Sequence, residues 1–188
     1  MAHADQSDKR QTILEAASQL MIAQGIENTS LADIARAANM SKGTLYYYYN
    51  SKSDLIFDIA EQHINQITQD LLMWLAQRPP EMSLADMLQF VLETMLSAEV
   101  RGKMHFYLIQ DAMMNNADIR QRFTEKYHEW KQIIEGELQK IIPQEDHQAA
   151  AHLLIAAIDG LMLQRLLGFE ELPIRAIADY LTRQTKGA

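Results

Sequence analysis

Apolar residues recur at spacings of three and four along nearly the whole chain, and alternation with period two is nowhere sustained. The pattern predicts helices and no sheet. A first helix over 8–24 carries Ile13, Ala16, Ala17 and Leu20 on one stripe, with Gly25 as its stop. Ser30 caps a short second helix with Asp33 at the capping-box position, and Leu31, Ile34, Ala35 and Ala38 form its buried face. A tight turn at Asn39-Met40 leads to Ser41, which caps a third short helix ending near Tyr48. Ser51 or Ser53 then caps a long helix over 53–77, closed by Pro79-Pro80. Further helices are predicted over 83–98, 101–114, 117–142, 145–167 and 173–184, the last opening on Pro173.

The third segment, SKGTLYYYY, holds four consecutive tyrosines. Successive helical side chains are rotated by about 100°, so the four rings cannot share a face. Leu45 and Tyr49, four apart, point to the core; Tyr46, Tyr47 and Tyr48 sweep around the remaining surface. The second and third helices with their tight turn have the size of a helix-turn-helix unit. Its second helix opens on Lys42, Gly43 and Thr44, where backbone N–H groups and small side chains suit a phosphate and close approach to base edges.

Charge alters this picture locally. The chain is 188 residues long with a net charge of −8, which opposes phosphate binding overall. Residues 36–52, however, contain Arg36, Lys42 and Lys52 and no acid. With 48% apolar and 22% charged residues it reads as a globular protein. No cysteine is present, which excludes disulfides and thiolate chemistry and suits a reducing, cytoplasmic setting. The polar start MAHADQSDKR and the lack of a long uncharged apolar run predict neither a leader nor a membrane span.

From Thr29 to Leu55, the segment TSLADIARAANMSKGTLYYYYNSKSDL closely resembles the recognition segment of the TetR family of bacterial transcription regulators. The preceding helix, with Ile13, Ala16, Ala17 and Gly25, is similar to that family as well. Tyr48 and Tyr49 stand where His and Phe are its more usual pair. The resemblance implies an all-α fold: a three-helix helix-turn-helix domain over 1–52, then a larger helical domain over 53–188 for ligand binding and dimerisation. It implies Lys42 and Tyr46 as base readers, Gly43 as the point of close approach, and Thr44, Tyr47, Tyr48 and Lys52 as backbone contacts. Thr29 joins this set beside a capping role for helix two. The implied partners are a double-stranded DNA operator of pseudo-palindromic sequence, a second copy of the chain, and a small lipophilic effector that releases the DNA.

For that larger domain, the methionines Met87, Met95 and Met114 suit an adaptable apolar cavity, and His105, Tyr107, Gln110, Asp111, Tyr127 and Trp130 are candidates for orienting a ligand. Asp159 is read first as a structural or interface residue. Ala156 and Gly160, four apart, allow a close helix crossing, and with Leu161, Gln164, Ile177 and Leu181 they are the candidates for a four-helix dimer interface.

Rival classes find little footing. There is no HExxH and no phosphate-cradling glycine loop, and Glu125 with His128 makes a single Glu-x-x-His where a helical di-metal enzyme needs two. No enzyme, cofactor or metal is therefore predicted. A helical interaction module without an inducer is the alternative; it would account for the amphipathic helices but not for Gly43 within an acid-free segment.

Overall fold

The structure is a computed structural model that describes residues 2–97, 99–114, 116–143 and 146–183. Among the described residues it contains nine helices and no strand: α1 Ala2–Gln24, α2 Leu31–Ala37, α3 Lys42–Tyr48, α4 Lys52–Gln77, α5 Leu84–Leu96, α6 Glu99–Met114, α7 Ala117–Ile141, α8 His147–Leu166 and α9 Ile174–Arg183. The expected all-α order holds. The helix starts are written in short polar side chains. Ser30, Ser41, Ser51 and Ser83 each accept from the backbone N–H three residues on, at Asp33, Thr44, Asp54 and Asp86. Ser51, not Ser53, therefore caps α4, and Ser53 is buried in its first turn. Gly25 ends α1 at φ 87°, and Asn39 takes φ 53° in the turn between α2 and α3. α1 begins earlier than its apolar stripe, at Ala2 rather than residue 8. The predicted ends at residues 98, 145 and 184 lie outside the described residues.

Two apolar clusters organise the helices. The first joins Ile13 and Ala17 of α1, Ile34 of α2 and Leu45 of α3 to Leu55, Ile56 and Ile59 of α4, and runs on to Met104 and Leu108 of α6 and Ile119 of α7. The second brings Leu92 and Leu96 of α5 against Ile158, Leu161 and Met162 of α8. Gly102 of α6 lets α8 approach closely, because a Cβ there would lie 3.2 Å from Met162 Cγ.

α8 departs from expectation. By length and composition it is apolar enough to cross a membrane, with mean hydropathy 1.3, yet only 22% of that window is buried within the chain. Asp159 and Arg165 are its only residues among Asp, Glu, Lys and Arg, and His152, Asp159 and Gln164 break its apolar stretches, so no long uninterrupted apolar run marks it in the sequence. Leu153 and Leu167 are 63% and 69% exposed.

Candidate nucleic-acid interface and ligand cavity

α3 presents its polar end outward. Lys42, Gly43, Tyr46 and Tyr47 are exposed, and Lys42 has no ion pair among the described residues. Thr44 is half-buried, its backbone N–H donating to Ser41 Oγ at 3.0 Å and its hydroxyl 2.8 Å from the same atom. Tyr47 meets Tyr48 edge to face, centroids 5.2 Å apart. Leu45 and Tyr49 are buried, as helical rotation requires. Tyr49 lies just past the helix as its C-cap.

Three residues of the predicted DNA-facing set sit differently. Thr29 is fully buried and its hydroxyl donates to Gly25 O at 2.8 Å, so it seals the end of α1 instead of facing outward. Lys52 turns inward: Nζ donates to Ile26 O at 2.9 Å and lies 5.3 Å from the centre of the Tyr107 ring. Tyr48 is half-buried against the first apolar cluster. Each lies at a helix junction, where the neighbouring element and not the helix period decides the direction. Arg36 pairs with Asp33 on the surface of α2.

Beneath α3 lies an ionic network that sequence reasoning missed. Asp58, buried on α4, accepts from Arg10 Nη2 of α1 at 2.5 Å and from Arg122 Nη2 of α7 at 2.7 Å. Arg10 Nε also donates to Tyr49 Oη at 3.2 Å, and the Arg122 guanidinium lies 3.8 Å from the Phe57 ring centre. Burial works against the Asp58 carboxylate, but the hydrogen bonds from both arginines hold it below its ordinary pKa. Burial raises the Tyr49 phenol above its usual value. The signal was a single aspartate inside the apolar run LIFDIA, which a buried helix face tolerates only with a partner.

α4 to α8 enclose a cavity of about 230 Å³. Of the predicted ligand residues, Met87, Met95, His105 and Trp130 line it. Tyr127 stands behind the wall: its hydroxyl donates to Asp159 Oδ2 at 2.7 Å and lies 3.2 Å from His105 Nε2. Burial, followed by the charge of Asp159, raises the Tyr127 phenol well above its usual pKa. Asp159 is thus a cavity residue and not simply a structural one. Four predictions are corrected. Tyr107 packs on the first cluster beside Lys52, Gln110 is exposed, Asp111 accepts from Asn116 Nδ2 at 2.7 Å, and Met114 is 71% exposed. They lie toward the other end of α6 or on its outer side, whereas Arg101 and His105 face inward. Phe57, Leu72, Leu75 and Arg101 are among the wall residues that were not foreseen.

On the opposite side of α8, a shallow groove between α8 and α9 gathers all six predicted interface residues: Ala156, Gly160, Leu161, Gln164, Ile177 and Leu181. A Cβ at Gly160 would meet nothing within 4 Å. Among the described residues, no helix uses the close approach that Gly160 permits.

Known proteins resemble both halves. Residues 13–59 match the family model described as "Bacterial regulatory proteins, tetR family", and residues 80–186 match "BetI-type transcriptional repressor, C-terminal". The HTH-type transcriptional regulator AcrR of Shigella flexneri is 36% identical over 96 residues, 50% of this chain and 45% of that protein. The chain thus matches less than half of that relative's length. LmrA of Bacillus subtilis, also an HTH-type transcriptional regulator, is 25% identical over 91% of this chain and 93% of its own. Among solved structures, a transcriptional regulator from Saccharomonospora viridis in complex with choline superposes with a TM-score of 0.70 at 23% identity, over 96% of this chain and 97% of its own.

Proposed function

The chain belongs to the tetR family of bacterial regulatory proteins, and we propose that it is a dimeric, ligand-responsive repressor of transcription. Residues 1–52 bind DNA and residues 53–188 bind the ligand and pair two copies. The observation that carries this reading is the exposed, acid-free end of α3, where Lys42, Gly43, Tyr46 and Tyr47 stand on a rigid, Ser41-capped helix. Two such helices, one per protomer, enter successive major grooves of a pseudo-palindromic operator. Lys42 and Tyr46 reach base edges, and Gly43 lets the backbone approach. Thr44 and Tyr47 hold the phosphates, while Tyr48 contributes the outer edge of a half-buried ring. Thr29 and Lys52 act from inside, fixing how α1 and α4 carry the helix.

Dimerisation is supported by the apolar groove of α8 and α9, with Gly160 open to a facing helix. It also accounts for the poor burial of α8, which belongs against a second copy and not in a bilayer. Ligand response follows from position. Phe57 and Leu75 of α4 and Phe123 of α7 line the cavity, and the same two helices hold Asp58 and Arg122 under the DNA-binding helices. An occupant that separates α4 from α7 favours a protomer spacing that no longer matches the half-sites. As a DNA-binding regulator, the protein works in the cytoplasm.

The test is selection of bound fragments from genomic DNA, followed by fluorescence anisotropy on the selected duplex with the chain and its Lys42→Ala variant. Binding that is sequence-specific, falls steeply with salt and is lost in the variant is the expected result. Equal affinity for any duplex would refute it.

A further inference from the structure

Six ionisable groups stand on the cavity wall: Glu61, Arg101, His105, Lys126, Glu137 and Asp159. Five have partners. Glu61 and Lys126 pair at 2.6 Å, Glu137 pairs with Lys140 at 2.6 Å, and Asp159 accepts from Tyr127 with His105 Nε2 at 3.3 Å. Among the described residues, Arg101 pairs with no carboxylate. It is 5% exposed, and its Nε and Nη1 have no hydrogen-bond partner among the described residues. Only Nη2 is engaged, donating to Met95 O in the last turn of α5.

A purely structural role explains that one contact. A cation at a helix C-terminus is favourable, and the carbonyl end of α5 offsets part of the charge. It leaves the N–H groups on the other two nitrogens unanswered in a medium where an uncompensated charge is costly. Nor does a neighbouring residue supply the missing anion. The nearby imidazole of His63 is no anion, and burial, then the Arg101 charge itself, holds it below its ordinary pKa. The rest of the wall is overwhelmingly aliphatic and aromatic.

We propose that the cavity's ligand is an amphipathic anion, an aliphatic chain held by the apolar walls with its carboxylate at Arg101; this rests on the ligand-responsive reading above. The carboxylate accepts from the guanidinium nitrogens that now lack partners. The chain runs along Leu72, Leu75 and Leu154 toward Trp130. Arg101 reaches the head group by a change of rotamer, and Met87 and Met95, unbranched and flexible, yield at that wall. At about 230 Å³ the cavity lies somewhat below the roughly 300–1,000 Å³ usual for ligand sites, so a medium-length chain fits best. The solved relative that holds choline carries a cation; the unpartnered guanidinium of Arg101 selects the opposite sign.

Three probes with one tail separate the possibilities: dodecanoate, dodecyltrimethylammonium and dodecanol, each titrated into the full chain below micelle formation. Binding is followed through the fluorescence of Trp130 on the cavity wall. Dodecanoate is expected to bind at least tenfold more tightly than the ammonium. Arg101→Met should weaken dodecanoate tenfold or more and leave dodecanol unchanged, and Arg101→Lys should recover part of the loss. Equal or tighter binding of the ammonium to the wild type overturns the proposal, as does an unchanged dodecanoate affinity in Arg101→Met. If Arg101→Met fails to fold by circular dichroism, the head-group series and Arg101→Lys decide alone. Release of the selected operator is read separately. Dodecanoate that binds through Arg101 but leaves the DNA complex intact upholds the anion site and refutes the ligand-responsive reading. Release by the ammonium alone overturns the anion site and upholds that reading.

Discussion

Asp58→Asn isolates the contact between α1, α4 and α7. Both carboxylate oxygens are in use, Oδ2 by Arg10 at 2.5 Å and Oδ1 by Arg122 at 2.7 Å. Asparagine has nearly the same shape but one acceptor oxygen, so it can serve one guanidinium and must turn an NH₂ toward the other. Removing one partner of a buried ion pair costs roughly 3–5 kcal/mol. Here the Arg10 side chain is 56% exposed and that of Arg122 34%, so water resolvates much of what is freed. The loss is therefore about 2–3 kcal/mol, between the buried and the surface limits. At roughly 2–4 °C per kcal/mol for a chain of this size, the melting temperature should fall by roughly 4–12 °C. Thermal melts by circular dichroism at pH 7 measure it. Asp54→Asn is the control, since Asp54 lies 3.8 Å from Arg122 at a half-exposed site. It should cost about 1 kcal/mol or less. The sign of the pH dependence is fixed too. The Asp58 pKa is lowered by folding, so its stabilisation is complete above the unfolded aspartate value, about 3.9, and is lost as pH falls through the folded one. The gap between wild type and variant should hold from about pH 5 to 8 and close on acidification below about 4. A variant that melts with the wild type at pH 7, or a gap that widens in acid, would refute the network's role.

Three other perturbations touch separate parts of the molecule. Lys42→Ala should remove specific DNA binding while the helical spectrum and dimer persist; a uniform loss on every duplex would make Lys42 a phosphate contact only. A Cβ at Gly160 meets nothing within 4 Å, so in Gly160→Leu the protomer should fold while sedimentation shows a weakened dimer; an unchanged dimer would remove Gly160 from the contact. Ser30→Ala deletes the oxygen that accepts from Asp33 N at 3.2 Å and should cost about 1 kcal/mol in urea denaturation, with no loss meaning that Asp33 alone secures the start of α2.

Local rules located the elements well because they act within a few residues. Ser30 and Ser41 cap where they should, and Gly25 stops α1. Helical rotation also sorted Tyr49 from Tyr46 and Tyr47 without any knowledge of neighbours. Local rules fail where two elements compete for one side chain. Lys52 is a surface lysine by composition, yet Ile26 O and Tyr107, distant in sequence, draw it inward. α6 illustrates the same limit. It packs against α4, α7 and α8, so several of its faces are covered, and period alone cannot say that Arg101 and His105 meet the cavity while Tyr107 and Asp111 do not. The clustering of the six interface candidates was legible because small side chains four apart suit a close helix crossing, and the groove of α8 and α9 collects them all.

The continuity of the first apolar cluster limits how this protein can be taken apart. Ile13, Leu45 and Tyr49 share one packed interior with Leu55, Ile56 and Ile59, and the bond from Arg10 to Asp58 crosses the same seam. A chimera that joined residues 1–52 to a foreign sensor would leave both sides of that interior without their counterparts. A transplantable unit has to carry the first two turns of α4, through Ile59, and meet an α7 that offers an arginine to Asp58 and a ring to Phe57, as Phe123 does here at 5.6 Å. Under the proposed function, drift in operator specificity can proceed at the exposed Lys42 and Tyr46, whereas the two sides of this seam have to co-evolve along α4.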